Sequence, residues 1–243
     1  MTQEGFYSAK HGVLCLTFDD GRHAQWLEHL ALFRRYGAHA TFFYMNDLDA
    51  PALDSIKILQ AEGHSIGLHT LNHCDTVPNL TPATCHEYWD REIAPHQDAL
   101  RQAGLPLAEY FAYPNNRRDE YAESVMARHF RHCRGGTIPP IPKGSWLAEQ
   151  PQLFIPLPKV AETLTLGGYG VGDYYSSTND NLDAALAHAA KSNLLIVLFS
   201  HGISIDATGV NVRTDMLEHI LSTATTLNMA ILGFDELPSH YPR

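Results

Sequence analysis

Two adjacent carboxylates, Asp19 and Asp20, follow the apolar run at 13–18 and precede Gly21. Neighbouring acids repel each other and resist desolvation, so a buried pair needs a cation or a shared proton. Asp-Gly is also common turn chemistry, and the pair gains catalytic meaning only beside a cation-binding partner. His69 and His73 offer one. Two imidazoles four residues apart can converge on one ion where the chain turns. A carboxylate then completes a set of two histidines and one aspartate that leaves positions open for water and substrate, as hydrolytic metal sites require. The chain holds 15 histidines, and those within helical or surface stretches, such as His23, His86, His129 and His219, are read as incidental.

These residues need a scaffold that brings distant segments to one place. Apolar runs rich in strand formers occur at 13–18, 40–45, 64–69, 110–114, 130–134, 194–199 and 230–234. Between them, helical spacing of apolar residues marks 25–36, 52–62, 81–103, 120–129, 182–191 and 214–227, with a kink expected at Pro95. Strand–helix alternation repeated about seven times predicts an α/β fold, a distorted (β/α) barrel of about seven parallel strands. In such barrels the residues just past the carboxyl ends of strands face the ligand site. Asp19, Asp20 and His69 stand at such ends. Prolines and glycines interrupt the pattern from 135 to 179, which reads as an irregular loop segment with a short strand at 153–156.

Size and charge narrow the function. The 243 residues, 44% hydrophobic, suit one catalytic domain over 1–243. A net charge of −10 without a lysine or arginine run argues against nucleic acid and against anionic membranes as partners. No apolar run reaches the ~18–20 residues that span a bilayer. The first residues lack the basic-then-apolar pattern of a signal peptide, so a cytoplasmic location is expected. Cys15, Cys74, Cys85 and Cys133 show no paired spacing and read as free thiols. Nothing in the sequence sets an oligomeric state.

The stretches Thr17-Phe18-Asp19-Asp20-Gly21 and His69-Thr70-Leu71-Asn72-His73 resemble the first two motifs of the NodB-homology polysaccharide deacetylases, carbohydrate esterase family 4. Ser200-His201, after the apolar run 194–199, is similar to the family's last motif, and the resemblance covers roughly 12–237. It implies hydrolysis of N-acetyl, sometimes O-acetyl, groups on a sugar or oligosaccharide. By position, Asp20, His69 and His73 would bind a divalent metal, with zinc expected and cobalt, nickel or manganese suited to the same ligands. Asp19 would be the base that deprotonates the metal-bound water, and His201 the acid that protonates the leaving amine.

The third motif departs from the family. Its arginine and tyrosine are replaced by Ala112 and Asn115 in Phe111-Ala112-Tyr113-Pro114-Asn115-Asn116. The backbone N–H of Asn115 can still serve an oxyanion, because that role needs no particular side chain. The fourth, tryptophan-containing motif has no counterpart near 133–136. Without its usual arginine, Asp19 needs a cation from elsewhere. Arg134, at the end of the fifth expected strand, is the candidate orienter; pairing with a surface acid is its alternative. Tyr169, Tyr174, Tyr175 and Trp146 in the loop segment either stack on sugar rings or pin that segment to the barrel. Two further readings remain at this stage: hydrolysis of another amide, such as a formamido sugar or cyclic ureide, and a catalytically silent carbohydrate-binding module.

Overall fold

A computed structural model describes residues 11–241. Its strands are Val13–Phe18 (β1), Ala40–Tyr44 (β2), Ser65–Leu68 (β3), Tyr110–Ala112 (β4), His132–Gly136 (β5), Phe154–Pro156 (β6), Thr165–Gly170 (β7), Leu194–Ser200 (β8), Ile203–Ser204 (β9), Val212–Arg213 (β10) and Ala230–Ile231 (β11). Seven of them, β1-β2-β3-β4-β5-β7-β8, are neighbours in parallel, and β8 pairs back onto β1 to close the barrel.

Side chains alternate along a strand, so each barrel strand feeds two cores. Val13, Cys15, Phe43, Tyr110, Ala112, Leu166, Leu195 and Val197 fill the barrel interior. Leu14, Leu16, Phe18, Phe42 and Leu198 face outward and pack under the helices in the larger core. Phe234 plugs the floor of the barrel, its ring 5.9 Å from those of Phe43 and Tyr110. Each such fully buried aromatic is worth about 1.5–3 kcal/mol over its exposed state.

Several element boundaries differ from the sequence reading for identifiable reasons. The stretch 25–36 is two helices, His23–Glu28 and Leu30–Arg35. They part at His29, whose ring bonds the Gln25 carbonyl at 2.7 Å and the Thr214 hydroxyl at 2.9 Å. The long helix at 81–103 is also divided, into Cys85–Glu92 and Ala94–Gln102. Pro95, which lacks an N–H, sits in the first turn of the second helix, where none is needed. Two helices begin earlier than their apolar spacing suggested because capping residues start them. Asp49 accepts from Ala52 N–H at 2.9 Å, and Thr178 from Asn181 N–H at 3.3 Å.

The strand count of seven holds with a change of membership. The glycine-rich run 165–170, read from sequence as loop, is barrel strand β7. The run at 230–234 gives only the two-residue β11, which pairs with the first residues of β1, Val13 and Leu14. The short strand at 153–156 exists as β6, antiparallel to the start of β8. No helix among the described residues is long and apolar enough to cross a membrane.

Candidate metal centre and active site

Alternation along the barrel strands decides what reaches the mouth. On β1 the inward series Val13, Cys15, Thr17 ends at Asp19; on β3 Ser65 and Gly67 lead to His69; on β8 Leu195, Val197 and Phe199 lead to His201. Asp20 has the wrong phase for the interior. It adopts a left-handed backbone with φ 71°, so the chain reverses just past β1 and leaves its carboxylate at the mouth. Thr70 and His73 are left-handed too, with φ 61° and 53°. Such residues cost about 1–3 kcal/mol each and persist where the surroundings over-determine them.

Asp20, His69 and His73 form a compact group, each with a ligand atom within 4.8 Å of the others'. Asp20 Oδ1 lies 3.7 Å from His69 Nε2 and 3.9 Å from His73 Nε2. These gaps are too long for hydrogen bonds. Asp20 Oδ1 is buried and has no hydrogen-bond partner among the described residues. A buried carboxylate oxygen facing two imidazoles is costly unless something between them satisfies it. His69 Nδ1 donates to the Ala112 carbonyl at 2.9 Å, which leaves Nε2 with its lone pair toward Asp20. Fixing the tautomer through the far ring nitrogen is how metal-ligating histidines are held. Burial pushes His69 down to about 4, so it presents a neutral ring at neutral pH. The donor set, its spacing and its partnerless oxygen all fit a divalent cation.

Asp19 is 1% exposed and Arg134 likewise. The Arg134 guanidinium donates to Asp19 Oδ2 through Nη2 and to Asn116 Oδ1 through Nη1, and lies over the Phe199 ring 4.6 Å from its centroid. Burial alone would raise the Asp19 carboxyl. The Arg134 guanidinium, through its charge and its hydrogen bond, leads the interactions that outweigh burial and hold the carboxyl below its usual range. Asp19 Oδ1, the other oxygen, is buried without a partner among the described residues.

His201 stands on the far side of Asp20, its Nε2 3.8 Å from Asp20 Oδ2. Its Nδ1 donates to the Val210 carbonyl at 3.2 Å, and its own carbonyl accepts from the Trp26 indole at 2.8 Å. The ring is therefore oriented from behind, with Nε2 free for the mouth.

A model of the family described as polysaccharide deacetylase matches residues 7–130, just over half of the chain. This chain belongs to that family. A chitin deacetylase of Arthroderma benhamiae is 33% identical over 144 residues, covering 53% of this chain and 38% of that protein. This chain thus spans well under half the length of such curated relatives. Among solved structures, the chitin deacetylase of Colletotrichum lindemuthianum superposes with a TM-score of 0.62 at 16% identity, over 96% of this chain and 92% of the other. A family 4 acetyl xylan esterase of Clostridium thermocellum, solved with a cobalt ion, gives 0.56 at 15% identity, over 92% and 89%. At those identities the likeness is one of fold.

Within this deacetylase-family barrel, the variant third motif forms a tight turn after β4. Asn115 and Asn116 both adopt left-handed φ, 50° and 57°, and Asn115 Nδ2 donates to Asp75 Oδ1 at 2.8 Å. Asn115 lines the cleft at the barrel mouth. Two residues escaped the sequence reading. Asn116 holds the second arm of Arg134. Glu92, 1% exposed, accepts from Asn72 N–H at 2.9 Å and Asn72 Nδ2 at 3.2 Å, while its carbonyl accepts from Leu71 N–H at 2.9 Å. It thereby grips the turn between the two histidines. The sequence signal for Glu92 was its helical phase, since it falls four residues after buried Tyr88.

Proposed function

We propose that this chain is a metal-dependent hydrolase that removes N-acetyl groups from a sugar or oligosaccharide. The observation that carries the reading is the convergence of Asp20, His69 and His73 between a buried, arginine-held carboxylate and an oriented imidazole. A binding module would need neither base nor acid. Asp20, His69 and His73 would hold the cation, with zinc the first expectation for this mixed donor set. When bound, the cation would polarise the acetyl carbonyl and make water more acidic.

The chain's own groups supply the proton transfers. Asp19 Oδ1, ionised and without a partner among the described residues, accepts a proton from the attacking water. Arg134 keeps Asp19 from swinging toward the ligand set. Charge developing on the carbonyl oxygen meets the Asn115 backbone N–H, a donor that costs no reorganisation. His201 Nε2 delivers a proton to the departing nitrogen as the C–N bond breaks, giving acetate and the free amine. General acid or base groups of this kind contribute about 10²–10⁴-fold each.

Acetate release from a panel of N-acetylated sugars, with and without a chelator, tests the reading. Release is expected in the presence of divalent metal, lost on chelation and restored by zinc or cobalt. His73→Ala should lose both metal and activity, whereas Asp19→Asn should keep metal and lose rate. A His73→Ala protein that elemental analysis finds fully loaded would remove the ligand assignment.

A further inference from the structure

Beside the Asp19–Arg134 pair, toward β4, β5 and β7, lies a cleft of about 670 Å³. That volume falls among sites that enclose drug-sized ligands. Glycines keep it open: a side chain on Gly170 would strike the Tyr175 ring, and one on Gly136 would meet Asn116 at 3.2 Å. Tyr175 and Phe199 form an apolar wall, their centroids 5.4 Å apart and edge to face.

The charge of this lining is one-sided. Arg117, Arg118 and Lys143 line the cleft, and among the described residues no carboxylate does, in a chain of net charge −10. A second cavity carries Asp173, Asp206, Asp215 and Glu218 against one cation, Arg213, so a cationic lining is not a general feature of the surface. Arg118 is engaged, donating to Glu123 and to the Gly136 carbonyl at 2.8 Å each. Arg117 is exposed and reaches Asp75 at 3.1 Å. Lys143 has no carboxylate partner among the described residues. Its Nζ rests 3.1 Å from the centroid of the exposed Tyr174 ring, a contact its flexible stem can leave for an anion.

We propose that the cleft is a substrate subsite for a carboxylate carried by the glycan beside its acetamido group. Lys143 and Arg117 supply the cationic contacts, and Tyr175 the apolar one. A sugar ring bearing a carboxylate presents both surfaces that the cleft offers: a face of C–H groups for the aromatic wall and an anion for the ammonium. Low-dielectric walls beside the cations concentrate their field at the opening. The inference rests on the deacetylase reading above.

The test compares two N-acetylated oligosaccharides of equal length, one neutral and one bearing a lactyl or uronic carboxylate. Wild-type KM should be lower for the acidic substrate by roughly tenfold, the effect of one charge-assisted hydrogen bond. Added NaCl should narrow that gap. Lys143→Glu should erase the acid-over-neutral preference, and Lys143→Arg should keep it. Equal KM values in the wild type, or a preference that survives Lys143→Glu, would overturn the proposal. If neither substrate releases acetate, the deacetylase reading fails and calorimetry decides the cleft separately. The carboxylate-bearing amine product should then bind the wild type more tightly than the neutral product and lose that advantage in Lys143→Glu; equal binding sinks the subsite.

Discussion

Arg134 comes from the interior phase of β5, and its planar fork engages two partners at once, Asp19 through Nη2 and Asn116 through Nη1. A lysine can point at only one of them. Arg134→Lys is therefore expected to keep metal and lose roughly 10–100-fold in kcat, the worth of a charged hydrogen bond; a rate within twofold of wild type would remove Arg134 as the orienter. Arg134→Ala goes further, leaving a buried carboxylate without its counter-charge, at about 3–5 kcal/mol of stability. Glu92 acts on the other side of the site. Its removal frees the Asn72 turn, so Glu92→Ala should lower metal affinity about 10–100-fold, read by competitive titration with a chromophoric chelator. Unchanged affinity would reduce Glu92 to a structural acid. The candidate ligands were legible in sequence because metal chemistry needs particular side chains at particular spacings. Arg134 was reachable through its place at the end of an expected strand, as one of two readings. Asn116 and Glu92 were not, because what they grip is a side chain or peptide brought near only by the fold.

Strands were legible where their residues are apolar and illegible where glycine replaces them. β7 carries Gly167, Gly168 and Gly170, which read as breakers in isolation. In the barrel they are clearances: a side chain on Gly168 would crowd Phe199 and Val197 at 3.2 Å. The closing run 230–234 has the composition of a barrel strand, yet it yields two paired residues beside β1 and then turns so that Phe234 caps the floor. Composition cannot distinguish a barrel member from a plug. Gly67 in β3 shows the same clearance near the metal centre. A side chain there would strike the Phe43 ring and meet the Tyr110 carbonyl at 2.9 Å. Phe43 is itself pressed against Phe234, and a backbone carbonyl in the barrel has nowhere to retreat. Gly67→Ala should cost about 1–3 kcal/mol through overpacking, and should also weaken metal binding, because His69 follows two residues later on the same face. Thermal melts of the metal-free protein and a metal titration measure the two effects. A variant that melts with the wild type would show that the interior has slack.

At the scale of the whole molecule, histidines kept neutral by burial link stability to pH. His64 packs its ring edge-on against Phe33 and Phe42, with centroids 5.2 Å away in each case. Its Nδ1 accepts the Ala40 N–H at 3.0 Å, a bond that an imidazolium cannot accept. Burial, helped by His39 and Arg34 and opposed by Glu62, pushes it down from 6.5 to about 4. The sign follows from the depressed value. Between those two limits the unfolded chain binds a proton that the folded chain refuses, so stability is fully present above about pH 6.5 and drains away as pH falls toward 4. One such group contributes a slope of up to about 1.4 kcal/mol per pH unit. His64→Asn offers an amide oxygen to the Ala40 N–H without titrating. It should be less stable than wild type at pH 8, where the lost ring dominates, and should lose stability less steeply from pH 6.5 to 5. Both proteins are measured metal-free by denaturant unfolding, so that the His69 contribution is common to the pair and cancels in the difference. Parallel stability curves across that interval would mean that His64 is already charged in the fold, and that the Ala40 bond is made some other way.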